Sequence, residues 1–74
     1  MNVPIAPRIK GLREGLRLTQ RQLAAKLQVA HNTVSQYENG TIYPSLGMVV
    51  ELAQIFDVTT DYLLGADKEY AMKG

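Results

Sequence analysis

The chain contains no cysteine. Disulfides, thiol catalysis and thiolate metal sites are therefore excluded, and the composition suits a reducing cytoplasm. Its one histidine, His31, has no second ligand candidate, so no metal centre is expected. The acids show no spacing that singles out a catalytic pair. There is no nucleophile–base set and no glycine-rich phosphate loop, so neither an enzyme nor a cofactor is expected. No apolar run approaches the roughly 18 residues of a membrane span. The amino-terminal "MNVPIAPRIK" lacks the long apolar core of a signal peptide. The expected setting is cytoplasmic, with no membrane partner. Internal repeats, low-complexity segments and a second domain are also missing.

What remains is a chain of 74 residues, the size of one small domain, with 46% apolar residues. A domain this small buries only about 60% of its unfolded surface, so its core must be efficient. The net charge of +1 is uninformative, but its distribution is not. Residues 1–40 carry six bases and two acids, a net +4, whereas residues 41–74 carry two bases and five acids, a net −3. Such asymmetry suggests a cationic binding face in the first half, against the simpler reading of charges scattered over a solvated surface.

Hydrophobic spacing and capping residues divide the chain into five short helices. Pro7 suits the first turn of a helix, and Ile9, Leu12 and Leu16 follow at helical spacing, giving a helix over about 6–16. "LTQRQL", residues 18–23, is a strong helix start. Thr19 and Gln22 have capping-box spacing, with Leu18 and Leu23 as a hydrophobic staple, so a second helix runs from Gln20 to about Leu27. Only Gln28 and Val29 separate it from a third helical pattern that begins near Ala30, carries Val34 and Tyr37 inward, and stops at Asn39-Gly40. Pro44 disfavours helix at Tyr43. Ser45 then caps a fourth helix over about 46–56, with Leu46, Val49, Leu52, Ala53 and Phe56 on its core side. "VTTDYLLG" repeats the start signal, with Thr59 as cap and Gly65 as stop. Residues 1–65 are read as the domain and 66–74 as a short C-terminal tail.

Two helices joined by a very short turn, the second with a polar outward face, describe a helix-turn-helix. Leu23 and Leu27 are apolar, Ala24 is small enough for close helix crossing, and Val29 plugs the turn. The outward face of "NTVSQYENG" is rich in amide and hydroxyl groups, which both donate and accept hydrogen bonds. They suit a surface with a mixed hydrogen-bonding pattern.

From Arg8 to Gly65 the sequence resembles the phage-repressor and Cro-like, or XRE-type, DNA-binding domains. "RIKGLR", "LTQRQLAAKL", "TVSQYENG", "PSL" and "DYLLG" fall in family order and at family spacing. The resemblance implies an all-α, compact five-helix lambda-repressor-like domain whose third helix enters the major groove. There each base pair shows a distinct donor and acceptor pattern. It places His31, Asn32, Thr33, Ser35 and Gln36 at the base edges. It places Gln20 and the start of helix 2 on the phosphate backbone, with Asn39 and the loop through Thr41 and Tyr43 on the opposite strand. Arg8, Lys10, Arg13 and Arg21 add positive potential, and Arg13 and Arg21 are counted among the backbone contacts. The partner implied is double-stranded DNA, and the role that of a sequence-specific transcriptional repressor. No small-molecule effector is implied.

Three positions depart from the family. Gln28 replaces the glycine usual at the turn, at a cost of roughly 1 kcal/mol if the backbone there is left-handed. Ala30 replaces the usual Ser or Thr cap of helix 3, losing roughly another 1 kcal/mol. The loop Thr41-Ile42-Tyr43 lacks the Lys or Arg common there, which lowers the expected contribution from phosphate neutralisation. That last departure favours an alternative on the same fold, a protein-interaction module such as an antitoxin or regulator adaptor.

Helix 4 is more apolar than one buried stripe requires. Its flanking Met48 and Ile55, with the corner Asp57, Val58, Thr59 and Thr60, are expected to form a homodimer interface like that of related repressors. The competing account folds the tail, with Tyr70 and Met72, over the same edge within one subunit.

Overall fold

The second, fourth and fifth helices begin where a side chain satisfies free backbone N–H groups, and every helix is followed by a left-handed turn. The computed structural model describes residues 5–65, and within them the element order is α1 (Ile5–Gly15), α2 (Gln20–Leu27), α3 (His31–Asn39), α4 (Leu46–Phe56) and α5 (Thr60–Leu64). The expected tail over 66–74, with Tyr70 and Met72, lies outside the described residues.

Thr19 accepts from the Gln22 backbone N–H at 3.0 Å, and the Gln22 side chain accepts from the Thr19 N–H at 2.8 Å, completing the predicted capping box. Ser45 and Thr59 accept from the N–H groups of Met48 and Tyr62 at 3.2 and 3.0 Å. Ala30 has the extended backbone of a cap but offers no side-chain oxygen. The stops are less uniform in sequence than in geometry. Gly40 and Gly65 take positive φ, as expected of glycine, but so do Arg17, Gln28 and Asp57, with φ of 60°, 60° and 57°.

α2 and α3 pack against each other, α1 lies against α3, and α4 and α5 close the opposite side by packing on each other and on α1. Ile9, Leu23, Leu27, Val34, Leu52 and Leu63 meet in one core with Tyr37 and Phe56. Burying an aliphatic side chain of this size is worth about 1.5–3 kcal/mol, so several together hold short helices that are marginal alone. Val29 sits half-buried against that core and plugs the α2–α3 turn as predicted.

Two expected core positions point elsewhere. Leu16 is 51% exposed, because α1 ends at Gly15 and the left-handed turn at Arg17 swings the chain away. Leu46 is 78% exposed, because it begins α4 about a turn before Val49, the first fully buried residue of the helix. On α1 the buried stripe is instead Ile5, Ile9 and Arg13. No helix among the described residues is long and apolar enough to cross a membrane.

Candidate nucleic-acid interface

α3 is held from beneath by Val34 and Tyr37, both buried, and this fixes which of its residues face outward. His31 and Asn32, in the first turn, are exposed; Thr33, Ser35 and Gln36 are half-exposed. The five predicted base-reading residues thus share the first six positions of one anchored helix. Their side chains make no intramolecular hydrogen bond among the described residues, so their donors and acceptors are free for a ligand.

α2 brings its own amino terminus into the same unit. The capping box satisfies Thr19 and Gln22, and the Leu23 N–H bonds the Thr19 carbonyl at 3.0 Å. The N–H groups of Gln20 and Arg21 find no acceptor among the described residues. Unpaired N–H groups and the positive end of the helix dipole suit a phosphate oxygen. Arg21 is exposed beside them.

At the other end of α3, the Gln36 carbonyl accepts from the N–H of Thr41 at 3.0 Å and of Ile42 at 3.3 Å, and also from Gly40. Asn39 Oδ1 accepts from the Thr41 N–H at 2.9 Å and from the Thr41 hydroxyl. The loop leaving α3 is therefore clamped back on the helix, and the Asn39 amide nitrogen stays free. Tyr43 is exposed, as are Thr41 and Ile42.

Arg13 is the correction. It was expected on phosphates, but its side chain is only 11% exposed and its guanidinium is committed inside the domain. Arg13 Nε and Nη2 donate to the two Glu38 carboxylate oxygens at 2.6 and 3.1 Å, and Nη1 donates to the Leu18 carbonyl at 2.7 Å. The hydrogen bond to Glu38 raises the Arg13 pKa further above its already high value, despite the opposing effect of burial. Glu38 is itself only 3% exposed at the side chain. A bidentate pair explains how both charges can be buried, and it turns the Arg13 guanidinium toward Glu38 and Leu18, away from the exposed cations. The sequence signal was present: Arg13 continues the Ile5–Ile9 stripe at i+4, and Glu38 neighbours buried Tyr37.

Arg8 is also engaged. Its guanidinium lies 4.6 Å from the centre of the Tyr62 ring and donates to the Tyr62 carbonyl at 2.8 Å, tying α1 to α5. Of the six bases in the first half, Lys10, Arg17, Arg21 and Lys26 remain exposed.

The proposed pairing edge lies away from α3. Met48, Ile55 and Val58 are partly buried and pack against the core, Thr60 is half-buried, and Asp57 and Thr59 are exposed. Thr59 doubles as the α5 cap, and Asp57 as the left-handed residue that ends α4.

A helix-turn-helix family model matches residues 9–63. The HTH-type transcriptional regulator ImmR of Bacillus subtilis (strain 168) is 34% identical over 86% of this chain and 50% of its own length. Among solved structures, the DNA-binding domain of the P22 c2 repressor superposes with a TM-score of 0.80 at 28% identity, covering 90% of each chain. SinR, the master regulator for biofilm formation, solved in complex with DNA, gives a TM-score of 0.74 at 30% identity over 81% of this chain and 97% of its own. The expected repressor-like fold is the fold observed. The chain spans about half the length of the curated relatives it matches.

Proposed function

The chain belongs to the helix-turn-helix family, and from that premise we propose that it is a sequence-specific DNA-binding transcriptional regulator, a repressor acting in the cytoplasm as a homodimer on a two-fold operator. The observation that carries this reading is the outward face of α3 from His31 to Gln36. It presents Asn32, Thr33, Ser35 and Gln36 outward from a helix pinned by Val34 and Tyr37. Asn and Gln bond adenine in bidentate fashion, and the Thr33 methyl can meet a thymine methyl. His31, exposed in the first turn, would donate to a guanine acceptor or a phosphate. Gln20, Arg21 and the start of α2 take one strand's phosphates, and Asn39, Thr41 and Tyr43 the other's. These contacts set position and register but carry no sequence information.

Pairing through Met48, Ile55 and the Asp57–Thr60 corner would set two α3 helices on one DNA face about 34 Å apart, one helical turn. ImmR, named a transcriptional regulator, and SinR, solved with DNA, support the reading by likeness.

A protein-interaction module is the second reading. It is favoured by the loop after α3, where Ile42 and Tyr43 are exposed and no cation stands at 41–43. Repeated selection from a random duplex pool separates the two. The DNA reading predicts enrichment of one two-fold motif with binding that weakens steeply as salt rises. A pool that stays random after several rounds rejects it and leaves the interaction module.

A further inference from the structure

Glu38 accepts more hydrogen bonds than the buried arginine requires. Besides the two from Arg13, its Oε1 accepts one from Gln20 Nε2 at 3.1 Å. The carboxylate therefore joins α1, α2 and α3 at one point. Gln20 is the first residue of α2 and is half-exposed, so its amide is at once anchored inside and reachable from outside.

The chemistry of the two groups fixes the amide's direction. An ionised carboxylate only accepts hydrogen bonds, so Gln20 must turn its nitrogen, not its oxygen, toward Glu38. That nitrogen carries two hydrogens. One is held by Glu38, and the second has no acceptor among the described residues. An amide left free would rotate among many orientations and would lose that freedom on meeting a ligand.

We propose that Glu38 is a positioning residue for DNA, locking the Gln20 amide so that its second hydrogen meets a backbone phosphate. The role rests on the DNA-binding reading above. Arg13 completes the device: its bidentate pairing neutralises Glu38, so the buried carboxylate orients Gln20 without repelling the phosphate beyond it. The ion pair thus serves the phosphate contact indirectly, although neither of its members touches DNA.

The test replaces the ion pair by neutral groups, which buried pairs often tolerate when volume is kept. Arg13→Met is combined with Glu38→Gln, which still offers an oxygen to Gln20, or with Glu38→Leu, which does not. Two quantities are measured: affinity for an unselected duplex, and relaxation of the Gln20 side-chain amide in the DNA-free protein. The Gln variant should bind as the parent does and keep the amide ordered. The Leu variant should lose affinity on the order of ten-fold, the worth of one hydrogen bond to a charged group, and free the amide. Gln20→Ala should show that same loss, and in its background the two variants at 38 should bind alike. A purely structural Glu38 would lower the melting temperature of the Leu variant but leave its affinity equal to that of the Gln variant while both are folded; that equality overturns the proposal. Should a double variant not fold, the parent suffices. A Gln20 amide that is mobile without DNA, or unshifted when duplex is added, also overturns it. A parent that binds no duplex at all overturns the DNA reading itself, and an ordered Gln20 amide would then be only an internal bond.

Discussion

Gln28→Gly should make the domain more stable without changing what it binds. Gln28 ends α2 at φ 60° and ψ 42°, the left-handed region. There an L-residue's Cβ approaches the following carbonyl oxygen, at roughly 1–2 kcal/mol. Glycine removes that strain but loses more backbone entropy on folding, roughly 0.5–1 kcal/mol. The net gain is therefore between about 0 and 1.5 kcal/mol. Nothing offsets it in packing, because the Gln28 side chain is exposed. Its backbone N–H, bonded to the Ala24 and Ala25 carbonyls, is unaffected. In a domain of this size the gain corresponds to a rise in Tm of about 4–8 °C per kcal/mol. Urea denaturation should show a higher midpoint with an unchanged slope. Gln28→Ala is the control: it keeps a Cβ at the same φ and should not reproduce the gain. If Gln28→Gly melts at or below the parent, or if Gln28→Ala matches it, the strain argument fails.

Asn32→Ala or Gln36→Ala should lose about 1–3 kcal/mol on the selected motif and relax base preference there; equal binding of parent and variant to matched and mutated motifs removes these residues from the code. Arg13→Ala strands the Glu38 carboxylate and should destabilise the domain by about 3–5 kcal/mol in urea, whereas Arg21→Ala should leave stability alone and flatten the salt dependence of binding by about one unit. A folded Arg13→Ala protein with a flattened slope would return Arg13 to the phosphate set. Ile55→Asp should sediment as a folded monomer with much weaker operator binding, and a variant that unfolds, or that sediments and binds like the parent, rules out the proposed pairing edge.

The five helices were legible from apolar spacing, and three starts also carry a local chemical signature: Thr19, Ser45 and Thr59 lie where they cap, and the α2 capping box forms as its spacing implied. Helix ends were legible where glycine marks them, at Gly40 and Gly65, and where the apolar pattern runs out, at Leu27 and Phe56; the left-handed turns at Arg17 and Asp57 were not. Arg17 and Asp57 turn left-handed because hydrogen bonds across the turn outweigh their strain. The Leu18 N–H reaches the Arg13 carbonyl at 3.1 Å, and the Val58 N–H reaches that of Ala53 at 3.0 Å. Such bonds follow from the path of the whole chain and leave no mark in residue type. The outward polar surface of α3 was readable from its pattern once Val34 and Tyr37 were set inside. The fate of Arg13 was not, because a buried arginine is decided by a partner 25 residues away. The apolar spacing Ile9, Leu12 and Leu16 left it outside the expected stripe, and its charge suggested the surface. The Arg13–Glu38–Gln20 cluster needed three helices in place to be seen.

The most direct measurement follows backbone and side-chain amide signals of the isotopically labelled protein as the selected duplex is added. The largest shifts should fall on His31–Gln36, on Gln20 and Arg21 at the start of α2, and on Asn39–Tyr43. The exposed face of α4, around Glu51 and Gln54, should stay unperturbed. Shifts centred on α4 and α5, with α3 silent, would contradict the assignment of α3 as the surface that reads DNA.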